Sequence, residues 1–197
     1  MVCATMKPAL RETARIRRAE LARACPDFAA RIAKFADDLR IPTGAAVSFY
    51  WPMGDEADPR PLANALAARG HTLALPVVAA PRTPLLFRRW REGETLVTHK
   101  FGMREPSTDA PAVVPDVLLM PLLAFDARGT RLGYGGGFYD RTLAALKSAR
   151  AIGIAYAGQE VGELPRHEHD YPLDAVMTEN GVRRFGNKPL SSRPSDA

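Results

Sequence analysis

The order of apolar and polar positions predicts helices at the amino-terminal end of the chain. Residues 7–40 are rich in Ala, Leu, Arg and Glu, which are good helix formers. Pro26 interrupts this segment, and because helical backbone is disfavoured before a proline, Cys25 separates two predicted helices. The largely apolar run at residues 45–51 contains good β-formers and stops at Pro52, which predicts a short buried strand.

Strands and helices then alternate along the chain. Asp58 followed by Pro59 is typical of a helix start, and Gly70 predicts its end. A strand predicted at residues 71–76 completes a strand–helix–strand unit, which implies a crossover and parallel pairing. Residues 85–90, which lie between Pro84 and a polar turn, predict an antiparallel or edge strand.

The carboxyl-terminal half repeats this alternation. It predicts a buried strand at 116–120, a helix at 138–149, a strand at 151–156 and a last strand at 175–178. The fold class is therefore α/β: a single three-layer domain with a mostly parallel sheet flanked by helices. We place this domain at residues 1–186, with a frayed tail at residues 187–197 that contains Pro and Ser.

Composition and charge exclude several classes of protein. The 197 residues are 46% hydrophobic and 25% charged, which is ordinary for a globular chain and argues against disorder. The net charge of +5 comes from 27 basic and 22 acidic residues that are interspersed, so we predict no nucleic-acid partner. No apolar run approaches the ~20 residues of a membrane helix, so we predict no membrane association.

The two cysteines indicate a reducing compartment. Cys3 and Cys25 match no zinc-binding spacing and are too few for a disulfide framework. The first ten residues contain no apolar stretch of signal-peptide length. We therefore expect a cytoplasmic protein, and we predict that it is a monomer.

A glycine-rich segment is the strongest chemical feature of the sequence. Gly133 and residues 135–137 place four glycines in five positions, between the strand at 116–120 and the helix that starts at Phe138. Backbone N–H groups in such a segment, together with a helix N-terminus, form a site for phosphate oxygens. Neither the Walker pattern nor the dinucleotide fingerprint fits. The alternative is a flexible connection.

The run from Arg131 to Arg141, Arg-Leu-Gly-Tyr-Gly-Gly-Gly-Phe-Tyr-Asp-Arg, resembles the signature of the 5-formyltetrahydrofolate cyclo-ligase family. Pro121 and residues 124–126 fit the same signature. Shorter similarities extend along the chain and occur at residues 7–11, 50–56, 101–106, 169–170 and 174–179. Met103 stands where isoleucine is commoner, which is a conservative apolar change.

The resemblance implies a reaction that needs ATP and Mg²⁺. The formyl oxygen of 5-formyltetrahydrofolate attacks the γ-phosphate, the second folate nitrogen attacks the activated carbon, and phosphate leaves. The products are 5,10-methenyltetrahydrofolate, ADP and phosphate. Because phosphoryl transfer depends mainly on positioning and charge compensation, the lack of an evident nucleophilic Ser or Cys set is consistent with this chemistry.

The resemblance also implies roles for individual residues. Arg131 and Tyr139 are the implied catalytic residues. The implied ATP-binding residues are Lys7, Arg11, Arg131, Gly133, Tyr134, Gly135, Gly136, Gly137, Phe138 and Tyr139. Those implied to bind the folate are Trp51, Glu56, Tyr134 and Phe138, and the implied magnesium ligands are Asp140 and Asp170.

Several of these residues have a simpler structural interpretation. Trp51 could be a core aromatic residue and Glu56 an exposed loop acid, and the aromatic residues of the glycine segment could simply pack. Asp140 would be favoured in the first turn of a helix by the helix dipole alone. Along the first helix we expect Arg15 and Arg18 to face solvent. His167 and His169 are interpreted as loop residues.

Two other functions remain open at this stage. A non-catalytic nucleotide- or nucleic-acid-binding module would explain the basic amino-terminal stripe but not Glu56 or the glycine-rich run. A family member with a changed substrate would keep the ATP site, although the intact segment from Trp51 to Glu56 argues against it.

Overall fold

The computed structural model describes residues 3–98 and 102–186 and contains four α-helices in that part of the chain. The helices are α1 (Cys3–Ala24), α2 (Phe28–Ala33), α3 (Arg60–Ala67) and α4 (Phe138–Ala145). The strands are β1 (Ala46–Ser48), β2 (Thr72–Val77), β3 (Leu86–Arg89), β4 (Val97–Thr98), β5 (Arg104–Glu105), β6 (Val117–Pro121), β7 (Ala124–Phe125), β8 (Arg131–Leu132), β9 (Arg150–Ile154), β10 (Ala175–Thr178) and β11 (Gly181–Arg184). The predicted frayed tail and Phe101 lie outside the described residues.

A seven-stranded sheet forms the centre of the fold, in the order β11-β10-β9-β6-β1-β2-β3. The five inner strands are parallel, whereas β3 and β11 run antiparallel to their neighbours at the two edges. This arrangement confirms the predicted mostly parallel sheet and the predicted antiparallel edge strand. The strand order itself was not predicted.

Helices cover both faces of the sheet because successive side chains of each strand point to opposite sides. Val117 and Leu119 of β6 pack on one face in the same cluster as Phe28 and Leu62, which belong to the layer formed by α2 and α3. Their neighbours in β6, Leu118 and Met120, pack on the other face with Leu143 of α4. The three-layer α/β architecture predicted from the sequence is thus confirmed.

The connections change direction in the middle of the sheet. Strand β1 leads through α3 to β2 on one side, whereas β6 leads through α4 to β9 on the other. In such sheets the crevice beyond the carboxyl ends of the two central strands is the usual ligand site. Helix α1 packs nearby, with Ala14 against Leu123 and Leu132.

Three local predictions were wrong in detail. The strand at 175–178 is not the last, because a two-residue turn at 179–180 leads into β11, a polar edge strand with one apolar residue, Val182. Helix α4 ends at Ala145 rather than at residue 149, because a turn must redirect the chain into β9. Helix α3 starts one residue later than predicted, with Pro59 as its N-cap.

The segment between β6 and the glycines is a hairpin rather than an open loop. Strands β7 and β8 pair antiparallel. The buried carboxylate of Asp126 holds their connection by accepting hydrogen bonds from the backbone N–H groups of Arg128 and Thr130, both at 2.9 Å, and of Leu164 at 3.2 Å. Burial raises the pKa of Asp126, but these hydrogen bonds outweigh it and leave that pKa below its usual value.

Replacing Asp126 by alanine is expected to destabilise the fold by about 2 kcal/mol, because buried N–H donors would lose their acceptor. Urea unfolding at neutral pH measures this, with exposed Asp109→Ala as the control. Because the folded-state pKa is lowered, the stabilisation is present above the usual carboxyl pKa and is lost as the pH falls through the folded-state value. The wild type and Asp126→Ala should therefore become equally stable as the pH falls. A difference in unfolding free energy that is the same at all pH values would contradict this explanation.

Candidate active site

One cavity of about 410 Å³ lies at the carboxyl ends of the central strands, at the point where the connections change direction. Every residue that the sequence analysis assigned to a site lines it: Lys7, Arg11, Trp51, Glu56, Arg131, Gly133, Tyr134, Gly135, Gly136, Gly137, Phe138, Tyr139, Asp140 and Asp170. The wall also contains residues that were not predicted: Tyr50, Met53, Pro76, Leu85, Met103, Arg104, Pro121 and Leu132. The glycine segment is thus part of the cavity wall.

The glycine segment 133–137 forms the wall that leads into α4. Gly135 and Gly137 have φ angles of +95° and +65°, a region that other residues rarely adopt, and Gly137 is the N-cap of α4. A Cβ atom on Gly135 would lie 3.1 Å from Cζ of Arg11, whose Nε donates a hydrogen bond to the Gly133 carbonyl at 3.0 Å. The glycines thus admit both the unusual backbone and the Arg11 guanidinium.

Two ion pairs join residues of the cavity wall, and one of them connects the two ends of the described chain. Lys7 Nζ lies 2.8 Å from Asp170 Oδ2, and Arg131 Nη2 lies 2.6 Å from Asp140 Oδ1. Arg131 also donates a hydrogen bond to the carbonyl of Tyr171. Positive and negative side chains are thus interleaved next to the N-terminus of α4, where the helix dipole favours an anion.

Arg141, the last residue of the run that resembles the family signature, supports the glycine segment from outside the cavity. Its Nη2 donates to the Gly136 carbonyl at 2.6 Å, its Nε donates to the Thr83 carbonyl at 3.3 Å, and its guanidinium lies over the Phe138 ring. It is not among the residues that line the cavity.

Glu56 is a buried acid rather than the exposed loop residue that its sequence context alone suggested. Its side chain is 6% exposed, and Oε2 accepts a hydrogen bond from the Met53 backbone N–H at 3.0 Å. Burial raises the pKa of Glu56, although a hydrogen bond from the Tyr134 hydroxyl and the nearby charge of Arg18 act in the opposite direction. The carboxylate therefore faces the cavity as a strong hydrogen-bond acceptor.

Arg18 contradicts the sequence-based expectation of a solvent-facing position. Its side chain is 7% exposed and forms a bidentate pair with Asp55, in which Nη2–Oδ1 is 2.8 Å and Nε–Oδ2 is 3.2 Å. The remaining Nη1 donates to the Tyr134 hydroxyl and lies 3.8 Å from Oε1 of Glu56. The available signal was helical spacing, because Arg18 follows Arg11 by seven residues and Lys7 by eleven, which places the three on one face of α1.

Three tyrosines surround Glu56. Burial raises the pKa values of Tyr50, Tyr134 and Tyr139, and the negative charge of Glu56 raises each of them further. Although the Tyr134 ring is exposed at the cavity, its hydroxyl is held between Arg18 and Glu56. These hydroxyls stay protonated at neutral pH and can act only as hydrogen-bond donors or neutral acceptors.

Trp51 both packs and lines the cavity. Its ring meets that of Trp90 edge-on at 5.7 Å, and the guanidinium groups of Arg60 and Arg104 lie 5.0 and 5.7 Å from its centre. The two sequence-based interpretations of Trp51, core aromatic and ligand-facing surface, are therefore compatible. Arg104 was missed as a wall residue, although the run 101–106 that contains it was recognised.

The acidic residues of the wall fit a metal that is held together with a phosphate ligand. Within the described ranges, no group of three or more His, Cys, Asp or Glu side chains is placed to hold a metal ion. Asp140 and Asp170 each belong to one of the two ion pairs of the wall, and both lie beside the glycine segment. Mg²⁺ prefers one or two carboxylates together with phosphate oxygens and water, so this donor set suits it.

His167 and His169 are exposed residues of the loop before Asp170, as interpreted from the sequence. The backbone N–H of His167 donates to Asp170 Oδ2 at 2.8 Å.

In the part of the chain that the structure describes, no helix is both long and apolar enough to cross a membrane.

Two curated relatives show what the chain is similar to in sequence. The chain is 38% identical over 143 residues to a 5-formyltetrahydrofolate cyclo-ligase of Escherichia coli K12. The aligned region covers 69% of this chain and 79% of the relative. A cyclo-ligase of Mycolicibacterium smegmatis is 37% identical over 148 residues, which covers 69% and 74% of the two chains.

Solved structures show the same fold. The 5,10-methenyltetrahydrofolate synthetase of Aquifex aeolicus superimposes with a TM-score of 0.75 at 29% identity, over 98% of this chain and 100% of that one. A Mycoplasma pneumoniae synthetase has a TM-score of 0.69 at 24% identity, over 88% and 98% of the chains, which shows the fold alone. The model of the 5-formyltetrahydrofolate cyclo-ligase family matches residues 4–179. The chain therefore belongs to the 5-formyltetrahydrofolate cyclo-ligase family.

Proposed function

We propose that this protein uses ATP and Mg²⁺ to convert 5-formyltetrahydrofolate into 5,10-methenyltetrahydrofolate, with release of ADP and phosphate. The observation that carries the proposal is the shared cavity. The cavity wall contains a glycine segment, a helix N-terminus and several cations. The same cavity also contains a buried carboxylate that is surrounded by tyrosines. A phosphate donor and a nitrogen-rich acceptor can therefore meet inside one site.

The triphosphate is proposed to lie along the glycine segment 133–137 and the N-terminus of α4. Backbone N–H groups and the helix dipole favour phosphate oxygens at this position. Lys7, Arg11 and Arg131 add positive charge from two other elements of the fold. Binding of a nucleotide would change the partners of Lys7 and Arg131, which pair with Asp170 and Asp140 in the free protein.

The pterin ring of the folate is proposed to lie at Glu56. Its carboxylate is a buried acceptor that suits the ring N–H donors, and the Tyr134 hydroxyl is adjacent to it. Trp51 and Phe138 contribute flat apolar surface to the same cavity. Burial strengthens such polar contacts, because little water competes for them.

The reaction requires accurate placement more than a reactive side chain. The formyl oxygen attacks the γ-phosphorus and the bond to the ADP oxygen breaks. The second folate nitrogen then attacks the activated formyl carbon and loses its proton, and the carbon–oxygen bond breaks to release phosphate. Arg131 is proposed to stabilise charge on the transferring phosphoryl group, and Tyr139 to donate a hydrogen bond to a reacting oxygen.

Asp140 and Asp170 are proposed to hold Mg²⁺ together with the phosphates of the nucleotide. When bound there, Mg²⁺ would neutralise negative charge on the phosphate oxygens. Both carboxylates lie in the cavity wall next to the glycine segment, and the pKa of Asp170 is lowered because hydrogen bonds outweigh its burial. Asp170 is therefore ionised at neutral pH and suited to a hard cation.

The purified protein, mixed with 5-formyltetrahydrofolate, ATP and Mg²⁺, is expected to give a rise in the near-ultraviolet absorbance of the methenyl product. The rise should disappear when ATP is omitted or when EDTA removes Mg²⁺. ATP binding without product would favour a family member with a changed substrate. If neither ATP nor the folate binds, the proposed function is wrong.

A further inference from the structure

Arg18 joins three separate segments of the fold without lining the cavity. It projects from α1, pairs with Asp55 in the loop after β1, and reaches Tyr134 in the glycine segment 116 residues away. The planar guanidinium presents two N–H groups to the Asp55 carboxylate and keeps Nη1 for Tyr134 and Glu56. This division of donors uses the fixed fork of arginine, which lysine lacks.

Packing of α1 alone does not explain a charged residue at this position. Removing a guanidinium from water is costly, and replacing a buried ion pair by apolar side chains often leaves a protein equally stable. Ala14 lies one turn earlier on the same face, and its side chain is buried by apolar packing alone. A polar group at residue 18 therefore points to a role in arranging its partners.

We propose that Arg18 is a positioning residue for the folate end of the site, which holds the Glu56 carboxylate and the Tyr134 hydroxyl in the arrangement that receives the pterin ring. This inference rests on the proposed function, because it assigns Glu56 to the folate. Asp55 serves as the anchor that orients the guanidinium. Arg18 itself does not touch the substrate, since it is not part of the cavity wall.

The electrostatic consequence for Glu56 follows from the groups that face it. These groups come from four elements: Arg18 of α1, Asp55 and Tyr50 after β1, Tyr134 of the glycine segment and Tyr139 of α4. Burial raises the pKa of Glu56, Asp55 adds to this, and the positive charge of Arg18 lowers it. Without Arg18 the carboxylate would take up a proton at a higher pH.

A double-mutant cycle between Arg18 and Glu56 tests the inference. The dissociation constant of 5-formyltetrahydrofolate is measured without ATP, by calorimetry, for the wild type, Arg18→Met, Glu56→Gln and the double variant. Arg18→Met is expected to weaken folate binding about tenfold, and the double variant to bind no more weakly than Glu56→Gln, because coupled residues are not additive. The KM for ATP should stay within about twofold of the wild type.

Two further measurements separate positioning from a general structural role. The pH at which folate affinity is lost should be higher in Arg18→Met than in the wild type, and Arg18→Lys should restore that pH but only part of the affinity. Arg15→Met, an exposed arginine of the same helix, is the matched control and should bind like the wild type. If Arg18→Met does not fold, Asp55→Asn removes the anchor and should weaken folate but not ATP binding.

Additive losses in the cycle, an unchanged affinity for folate, or an equal loss for ATP would each overturn the role of Arg18. These outcomes are distinct from failure of the proposed function. If the wild type forms the methenyl product while the cycle is additive, only the inference about Arg18 is wrong. If the wild type neither binds the folate nor forms product, both are wrong.

Discussion

Arg131→Ala is expected to lower kcat by about a hundredfold or more, with a smaller change in the KM for folate. The Arg131 side chain is 6% exposed and lies where β8 enters the glycine segment, beside the N-terminus of α4. Removing a preorganised cation from a phosphoryl-transfer site removes charge stabilisation that matters most in the transition state. Steady-state kinetics with each substrate varied in turn measures the effect.

Arg131 also pairs with Asp140 and donates to the Tyr171 carbonyl, so its loss could loosen the wall. Arg131→Lys separates the two roles, because it keeps the charge and should recover part of kcat. The matched control is Arg128→Ala, in the same hairpin, whose side chain is 60% exposed. A kcat for Arg131→Ala equal to that of the control would remove Arg131 from the reaction.

Glu56→Gln is expected to raise the KM for 5-formyltetrahydrofolate about a hundredfold and to leave the KM for ATP nearly unchanged, since hydrogen bonds to a buried charged group are strong. The substitution keeps the shape of a side chain that is 6% exposed and can retain the contact with the Met53 backbone N–H. The substitution removes the negative charge of the carboxylate, which is the proposed acceptor for the ring N–H donors of the pterin.

The effect of Glu56 should also depend on pH. Burial raises the pKa of Glu56, and only the ionised form is the proposed acceptor. Folate affinity of the wild type should therefore fall as the pH is lowered through this raised pKa, whereas Glu56→Gln should show little change over the same range. Exposed Glu163→Gln is the control. Parallel pH profiles for the wild type and Glu56→Gln would contradict the assignment.

The alternation of strands and helices was readable in the sequence because it depends on local periodicity. Buried parallel strands such as β6 are continuous apolar runs, and the glycine-rich run before α4 is dense enough to be recognised alone. The strands that the sequence analysis missed are those with little periodic signal. Strand β11 and the short hairpin of β7 and β8 depend on pairing with other segments rather than on their own composition.

The same difference between local patterns and contacts of distant segments applies to the site residues. The family resemblance brought Lys7, Glu56 and Asp170 together in one hypothesis, and the fold places them on the wall of one cavity. The positions of Arg18 and Arg141 were not accessible in this way. Whether a helical arginine faces solvent, a carboxylate or a loop carbonyl depends on segments that are distant in the chain.

The sequence by itself determined the α/β class, the strand–helix alternation and the glycine segment, because each follows from residues that are neighbours along the chain. The tertiary structure alone decided the strand order, and with it the crevice between β1 and β6 where the cavity lies. It also decided that Glu56 and Arg18 are buried side by side. Such burial arises from contacts between residues far apart in sequence, which local patterns do not specify.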